Sequence, residues 1–208
     1  MLNLPMPSTQ QPIQPLTIAA TGASGAVFTR ALLRVVERDV RIKTVNFIVS
    51  DNALRVFAEE LDIKGRTDLV QKLLAAKSKK IHLQNNDDIG ANVASGSYPT
   101  RAMIILPCSM GTLAGIAHGL ARNLIERAAD VCLKEKRPLL LCVRETPLNR
   151  VHIRNMDWAA GAGATIYPLI PTFYNRPSSI EAMAHQFACR VLAFVGLPQD
   201  DAFVWGSL

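Results

Sequence analysis

The feature that most constrains the fold is a set of five short apolar runs, separated by segments with helical periodicity. Each run is almost continuously hydrophobic, which is typical of strands covered by helices on both faces. The runs are Leu16–Ala20, Val45–Ser50, Ala102–Leu106, Leu139–Val143 and Thr165–Leu169. The helical segments cover residues 27–38, 52–60, 68–76, 123–136, 149–160 and 180–195. This alternation predicts an α/β fold with a three-layer, doubly wound and mainly parallel sheet.

The length of 208 residues suits one α/β domain, and no internal repeat or interdomain linker divides the chain. We therefore expect a single domain over residues 16–208. Residues 1–15 are rich in proline and glutamine and lack the basic start and unbroken apolar core of a signal peptide. We expect them to form a disordered tail.

The segment from residue 102 to 121 has no formal charge, so it must be considered as a membrane span. Pro107, Ser109, Thr112 and His118 interrupt it, and a strand followed by a turn and a helix explains it better. We expect no membrane segment and a cytoplasmic protein.

The formal net charge of +6 raises the possibility of nucleic-acid binding. The basic residues are scattered, however, and the densest cluster, Lys77–Lys80, has no interleaved aromatic side chains that could stack on bases. We expect no nucleic-acid partner. Affinity for small anions such as phosphates explains the charge equally well.

The cysteines and histidines form no recognisable metal-binding or nucleophile motif. The cysteines lie far apart in apolar surroundings, without a CxxC pair: Cys108, Cys132, Cys142 and Cys189. The histidines are isolated: His82, His118, His152 and His185. We expect buried free thiols and no metal site. The chain also lacks a GxSxG elbow and a Walker lysine, which argues against a hydrolase triad and an NTPase.

In a doubly wound sheet, ligands bind beyond the carboxyl ends of the strands, and the first such end carries TGASG at residues 21–25. Gly22 and Gly25 permit a tight turn, and Ser24 adds a hydroxyl at a helix N-terminus that suits phosphate. The turn is not GxGxxG, and Ser50 replaces the acidic residue that would bind a ribose. A mononucleotide such as FMN is therefore favoured, the alternative being that Ser24 merely caps the helix.

Two further strand ends carry polar groups. Ser109 and Thr112 in PCSMGT form a second donor-rich turn, so the two turns together suggest a ligand with a phosphate and a polar ring edge. Arg144 and Glu145 follow the fourth run side by side. A guanidinium there suits phosphate, and the adjacent carboxyl could give a proton to a leaving group. The alternative is that both residues form structural ion pairs.

Other polar residues are ambiguous by pattern alone. Arg127 and Lys134 share one helix face with Asn123 and Asp130, which is ordinary for a solvated stripe. The alternative is that Arg127 or Lys134 faces an anion across a subunit interface. By pattern, Tyr174 is a packing residue and Arg190 a surface charge.

Several segments together resemble the UbiX-type flavin prenyltransferases, over about residues 16–205. They are TGASGA at 21–26, ASGS at 94–97, the block 107–148, Asn155–Met156, FYNRP at 173–177 and Arg190. The resemblance implies a flavodoxin-like or Rossmann-like sheet that binds flavin. It also implies a homo-oligomer, expected to be a dodecamer built from trimers.

The resemblance implies transfer of a dimethylallyl group from dimethylallyl monophosphate to reduced FMN. Bonds form at flavin N5 and C6, phosphate leaves and no metal is needed. FMN is thus a substrate, and its prenylated product is the cofactor of a UbiD-type decarboxylase. A site without an aspartate cluster for metal favours the monophosphate over the diphosphate.

The resemblance also assigns residues. The FMN-contacting set would be Gly22, Ala23, Ser24, Ser50, Ser109, Met110, Gly111, Thr112 and Arg144. The prenyl phosphate would be held by Tyr174, Arg190, Lys134 and Arg127. Glu145 resembles the carboxyl that relays a proton to the departing phosphate. Ser24 and Glu60 resemble a pair that assists ring closure.

Three alternatives remain. The first is a flavin-dependent cysteine decarboxylase, which would need a histidine after the first helix. Residues 16–70 contain no histidine, which argues against this alternative. A direct aromatic-acid decarboxylase would turn over without a partner protein. A non-catalytic flavin carrier would bind FMN but would have no use for Glu145, Tyr174 or Arg190.

Overall fold

The computed structural model describes residues 13–206 and is built around one six-stranded parallel sheet. Its strands are β1 Leu16–Ala20, β2 Val45–Val49, β3 Ile81–Asn85, β4 Ala102–Cys108, β5 Leu139–Val143 and β6 Thr165–Ile166. The spatial order is β3-β2-β1-β4-β5-β6. This order is that of a doubly wound Rossmann-type sheet, so the predicted fold class is confirmed.

Seven α-helices within residues 13–206 cover the sheet. They are α1 Ala26–Arg38, α2 Asp51–Leu61, α3 Leu69–Leu74, α4 Met110–Ala117, α5 Leu124–Lys134, α6 Arg150–Gly161 and α7 Ile180–Phe194, with a 3-10 turn at Asn92–Ala94. In this part of the chain, no helix has both the length and the apolar character needed to span a bilayer.

Two apolar clusters occupy opposite faces of the sheet. Leu16 and Ile18 of β1 pack in the cluster that includes α1, α2, α3 and α7, whereas Ala19 packs in the cluster that includes α4, α5 and α6. Successive residues of a strand point to opposite faces, so both sets must be apolar when both faces are covered. This explains the continuous hydrophobicity of the predicted strands.

The sheet differs from the prediction at its two edges. The segment Ile81–Asn85 forms β3, which the sequence analysis missed because polar residues alternate with apolar ones in this partly exposed edge strand. At the other edge, β6 is only two residues long. Tyr167 N and Leu169 N nevertheless donate to Leu141 O and Val143 O, both at 2.9 Å, so the predicted run continues along β5.

The start of the chain lies partly outside the described residues. Of the predicted tail, residues 1–12 are outside, whereas Ile13 packs against the core and Pro15 O accepts a hydrogen bond from Arg101 N at 2.9 Å. The extent of the tail and the single-domain organisation stay predictions.

A buried carboxylate attaches the C-terminal segment, residues 198–206, to the end of α1. Asp39 accepts hydrogen bonds from Arg41 Nη2 at 2.6 Å and from Gln199 Nε2 at 2.9 Å. Arg41 Nη2 also donates to Pro198 O at 2.7 Å. The hydrogen bonds from Arg41 outweigh the cost of burial and lower the pKa of Asp39 to about 2.

This carboxylate should make stability depend on pH. Because the pKa of Asp39 in the folded state lies below the ordinary value of about 3.9, the ionised carboxylate stabilises the fold at pH values above about 3.9. This contribution to the unfolding free energy disappears as the pH falls towards about 2. We expect Asp39→Asn to cost about 2 kcal/mol at neutral pH and progressively less below about pH 4. Urea unfolding across this range measures the difference, with Asp62→Asn, at an exposed position, as control. A constant difference between wild type and Asp39→Asn would contradict the assignment.

Candidate active site

The strand ends named by the sequence analysis lie next to one another along the carboxyl edge of the sheet. Ser50 N donates to Ala20 O at 3.1 Å, Thr21 N to Pro107 O at 3.2 Å, and Arg144 N to Cys108 O at 3.2 Å. The strand order reverses between β1 and β4, which is where doubly wound sheets bind ligands. The predicted flavin-contacting residues therefore follow this edge in the order Ser50, Gly22–Ser24, Ser109–Thr112 and Arg144.

Thr21 connects the two turns at the centre of this edge. Its buried hydroxyl donates to Pro107 O at 2.9 Å and accepts from Ser109 N at 2.8 Å. One side chain thus satisfies two backbone groups and fixes the first turn against the second. Sequence reasoning missed this role, although a threonine directly after a buried strand was a possible signal.

The first turn leaves backbone and hydroxyl groups accessible. Gly22 and Ser24 are exposed, and Ala23 is buried and so offers only its backbone. A β-carbon at Gly22 would collide with Cβ of Asn52, because α2 passes close to the turn. Gly25 has φ +128°, a conformation that side chains disfavour. Both glycines are therefore required by the backbone path.

The N-terminus of α1 holds an internal anion, contrary to the expectation of a ligand phosphate there. Glu60 accepts hydrogen bonds from Gly25 N at 3.0 Å and Ala26 N at 2.7 Å, so its carboxylate takes two amides of this helix end. A carboxylate at this position is stabilised by the helix dipole. The same contacts bring Glu60 beside Ser24, the residue with which it was paired by resemblance.

The second turn presents a helix N-terminus with no acidic residue in its first turn. Ser109 caps α4 by accepting from Thr112 N at 3.3 Å, and the two hydroxyls lie 3.1 Å apart. Gly111 is exposed, whereas Met110 is buried, so Met110 offers its backbone only. This end of α4 can attract an anion or the electron-rich edge of a ring.

The end of β2 is held by two polar residues. Ser50 caps α2 by accepting from Ala53 N at 3.2 Å. Arg66, which sequence reasoning missed, donates to Val49 O at 3.0 Å and to Asp51 Oδ1 at 2.8 Å. The Ser50 hydroxyl therefore serves as a helix cap within the chain, and its predicted flavin contact stays a prediction.

Arg144 and Glu145 are both exposed at the end of β5. Glu145 Oε1 accepts a hydrogen bond from Thr146 N at 3.0 Å, which orients the carboxyl group through one of its two oxygens. Neither side chain takes part in an ion pair within residues 13–206. The alternative that Arg144 and Glu145 form structural ion pairs is therefore not supported among residues 13–206.

Tyr174 and Arg190 share one cavity of about 500 Å³, which pattern alone had not indicated. The Tyr174 ring packs edge-on against Trp205, with centroids 4.9 Å apart, although Tyr174 is 68% exposed. The cavity is also lined by Thr172, Gln186, Phe203, Val204 and Trp205. A cation and a phenol thus lie beside an aromatic wall.

This cavity is linked to the sheet edge by the loop after β6. Arg190 also borders a smaller cavity of about 240 Å³ with Tyr167, Pro168 and Ile170. In the same loop, Leu169 lies so close to the first turn that a β-carbon at Gly25 would be 3.0 Å from its Cδ1. Burial raises the pKa of Tyr167, and the charge of Arg190 partly opposes this shift.

The structure does not bring Lys134 and Arg127 to this edge within one chain. Lys134 forms an ion pair with Glu135 at the end of α5, next to Gly96. The chain enters β5 shortly afterwards, at the amino ends of the strands and thus away from their carboxyl ends. Arg127 donates to Ala94 O at 3.1 Å and pairs with Asp130 at 2.6 Å. The predicted phosphate contacts of Lys134 and Arg127 stay predictions.

Comparison with known proteins identifies the family. Residues 5–180 match the family model described as Flavoprotein. The chain is 43% identical over 187 residues to the flavin prenyltransferase UbiX of Escherichia coli K12, covering 89% of this chain and 94% of that protein. The chain belongs to the UbiX flavin prenyltransferase family. A further relative of the same name, from Pseudomonas aeruginosa, is 41% identical over 198 residues, covering 92% and 94%.

Two solved structures of UbiX-like proteins are also similar to this chain. A structure of AnUbiX (PadA1) in complex with FMN and dimethylallyl pyrophosphate matches with a TM-score of 0.82 and 36% identity, covering 94% of this chain and 98% of that one. A dodecameric FMN-dependent UbiX-like decarboxylase from Escherichia coli O157:H7 matches with a TM-score of 0.81 and 36% identity, covering 93% and 100%.

The contacts of Thr21 generate a stability prediction. Thr21→Val keeps the shape of the side chain but leaves Ser109 N without its acceptor, so we expect a loss of about 1–3 kcal/mol in unfolding free energy. The control is Thr17→Val, because the hydroxyls of Thr17 and Thr100 lie 3.5 Å apart, at the limit of a hydrogen bond. Urea unfolding at equal protein concentration compares the variants. Equal losses would show that the Thr21 contacts have no special weight.

Proposed function

We propose that this protein transfers a dimethylallyl group from dimethylallyl monophosphate to reduced FMN, with release of phosphate. The observation that carries the proposal is the arrangement of two adjacent sites. The carboxyl edge aligns the predicted flavin-contacting residues, and Tyr174 and Arg190 meet in a cavity connected to that edge through the loop at residues 167–172. Membership of the flavin prenyltransferase family supports the same activity.

The residues of the carboxyl edge fit FMN. Exposed backbone at Gly22 and Gly111 allows close approach, and the hydroxyls of Ser24 and Thr112 offer hydrogen bonds. Because Glu60 occupies the end of α1, Arg144 and the N-terminus of α4 are the electropositive groups left for flavin oxygens and phosphate. Bound reduced FMN supplies an electron-rich ring that bonds to the prenyl group at N5 and C6.

The protein assists departure of the phosphate. As the carbon–oxygen bond of the donor breaks, negative charge grows on the phosphate and an allylic cation is left. Arg190 and Tyr174, with Arg144 along the edge, would donate charge-assisted hydrogen bonds to this phosphate. Glu145 would pass a proton to a phosphate oxygen. The proton lost from flavin N5 as the nitrogen–carbon bond forms would restore the proton on Glu145, so the step would release protonated phosphate with no net change of charge.

The aromatic wall suits the short apolar chain of the donor. Phe203 and Trp205 line the cavity beside Tyr174 and would exclude water that could capture an allylic cation. Holding the prenyl carbon near flavin N5 would supply much of the rate acceleration. For the later ring closure we propose Ser24 and Glu60, which the amides of Gly25 and Ala26 hold at the first turn.

We propose the monophosphate as donor, although the AnUbiX (PadA1) structure holds dimethylallyl pyrophosphate. Diphosphates are commonly bound through Mg²⁺ held by carboxylates. Among residues 13–206, no group of three or more potential metal-binding side chains includes Glu60 or Glu145. The positive groups of the site are guanidinium ions, which bind a phosphate directly.

We further propose a homo-oligomer, in which Lys134 and Arg127 of neighbouring copies approach the phosphate. The dodecameric relative supports a dodecamer. The prenylated flavin would pass to a UbiD-type decarboxylase. A cytoplasmic location accords with the four cysteines, which are all buried free thiols.

The activity can be tested by incubating the protein anaerobically with reduced FMN and dimethylallyl monophosphate, followed by mass spectrometry of the extracted flavin. We expect a mass gain of one prenyl group and release of inorganic phosphate. Parallel reactions with the diphosphate identify the preferred donor. Unmodified FMN recovered from folded, flavin-loaded protein in both reactions would contradict prenyl transfer and favour a flavin carrier.

The role of Glu145 leads to a second prediction. Glu145→Gln keeps the acceptor for Thr146 N but removes the transferable proton, so we expect FMN binding to remain and prenyl transfer to slow by roughly 100-fold or more. Single-turnover formation of the flavin product measures the rate, and FMN titration measures binding. Glu59→Gln is the control because this exposed carboxylate pairs with Arg55. Unchanged turnover in Glu145→Gln would remove Glu145 from the mechanism.

A further inference from the structure

A cluster of three potential metal ligands lies on α7 and the C-terminal segment. His185 and Cys189 are four residues apart on one face of α7, and Asp201 approaches from the C-terminal segment. His185 Nε2 lies 2.7 Å from Asp201 Oδ2 and 3.5 Å from Cys189 Sγ. Cys189 Sγ lies 3.8 Å from Asp201 Oδ1. A nitrogen, a sulfur and a carboxylate therefore converge on one small volume.

The arrangement is unsuited to a nucleophilic relay. In a thiol–histidine–carboxylate relay, one ring nitrogen faces the thiol and the other faces the carboxylate. Here the same Nε2 of His185 faces both Cys189 and Asp201. Convergence of all three groups on one point is instead what a shared cation requires.

We propose that His185, Cys189 and Asp201 bind a divalent transition-metal ion, for which Zn²⁺ fits best. Bonds of about 2.0–2.3 Å in tetrahedral geometry separate ligand atoms by about 3.3–3.6 Å, which includes the 3.5 Å between Cys189 Sγ and His185 Nε2. Asp201 faces these two atoms with different oxygens, Oδ1 and Oδ2, so its carboxylate would turn to present one oxygen to the ion. The histidine–carboxylate pair needs to open by about 0.6 Å. A thiolate and a carboxylate neutralise the two charges of the ion, and imidazole is a preferred zinc ligand.

The surroundings provide both support and access. Cys189 is fully buried, and Gln186 Nε2 donates to Asp201 O at 3.0 Å, which fixes the backbone of the third ligand. A cavity of about 440 Å³ borders His185 and Asp201 and offers an entry path. Because 65% of the Asp201 side chain is exposed, water can complete the coordination as a fourth ligand.

The ion would connect α7 to the segment that carries the aromatic wall. Gln186 Oε1 accepts from Phe203 N at 2.7 Å, and Phe203 and Trp205 line the cavity of Tyr174 and Arg190. The metal would therefore act as a structural clamp on one wall of that cavity. This site lies outside the set of residues that we place in prenyl transfer.

Metal binding must displace a proton from the thiol. Burial, with the nearby charge of Asp201, raises the pKa of Cys189 to about 12, so the metal-free thiol is protonated. Coordination forms a metal–sulfur bond and releases this proton to solvent.

The predicted absence of a metal site rested on the separation of His185 and Cys189 from other ligand residues in the sequence, although a histidine and a cysteine four residues apart share a helix face. Asp201 lies beyond the end of α7, and only the return of the C-terminal segment brings it to the pair.

The test is titration of untagged, chelator-treated protein with Zn²⁺ by calorimetry and with Co²⁺ by absorption spectroscopy. We expect one equivalent per chain, together with the thiolate-to-cobalt charge-transfer band and the visible bands of a tetrahedral ion. Zn²⁺ should also raise the thermal unfolding midpoint.

Variants separate this site from adventitious binding. Cys189→Ser should abolish the charge-transfer band, and Asp201→Asn should weaken Zn²⁺ binding by roughly tenfold or more. Cys132→Ser is the matched control, because its thiol is buried in the other core cluster. If Cys189→Ser fails to fold, Asp201→Asn, with its largely exposed side chain, decides the question. Sub-stoichiometric binding by wild type, or equal affinity in wild type and Asp201→Asn, overturns the proposal.

Discussion

The hydroxyl of Thr21 joins the end of β1 to the end of β4, and the relative position of the two turns in the candidate site depends on this connection. From these ends, α1 and α4 leave the sheet on opposite faces, as their membership of the two core clusters shows. In doubly wound sheets, ligands bind where two such helices diverge, and Thr21 links Pro107 to Ser109 at this point. The parallel register of the sheet places the predicted flavin contacts relative to this link.

The carboxylate of Glu60 changes the electrostatics of this part of the edge. A glycine-rich turn before a helix would ordinarily offer its amides to a ligand phosphate. In this chain, Gly25 N and Ala26 N are already bound to Glu60, so the field at the end of α1 is neutralised internally. The end of α4 and Arg144 are the electropositive groups along this edge that Glu60 does not contact, which is why we propose them for anion binding.

The sequence was sufficient for five of the six described strands and for the alignment of their polar carboxyl ends, because buried parallel strands and polar strand ends are local patterns. It was insufficient for β3, whose polar residues match a partly exposed edge strand, and for the Glu60 contact, since the two segments lie 34 or 35 residues apart in the chain. Tyr174 and Arg190 line the same cavity only because α7 packs back against the loop that carries Tyr174. Family resemblance indicated them where pattern could not.

The C-terminal segment shows why the cavity lined by Tyr174 and Arg190 could not be predicted from local sequence patterns. This segment has no helix or strand within the described residues, so neither backbone pattern nor amphipathicity positions Phe203 and Trp205. Side-chain contacts do so instead: Asp39 holds Gln199, Gln186 holds Phe203, and His185 holds Asp201. A wall fixed by separate polar contacts can loosen without unfolding of the sheet. The shape of the cavity lined by Tyr174 and Arg190 therefore depends on polar contacts in the C-terminal segment, whereas the carboxyl edge depends on the sheet itself.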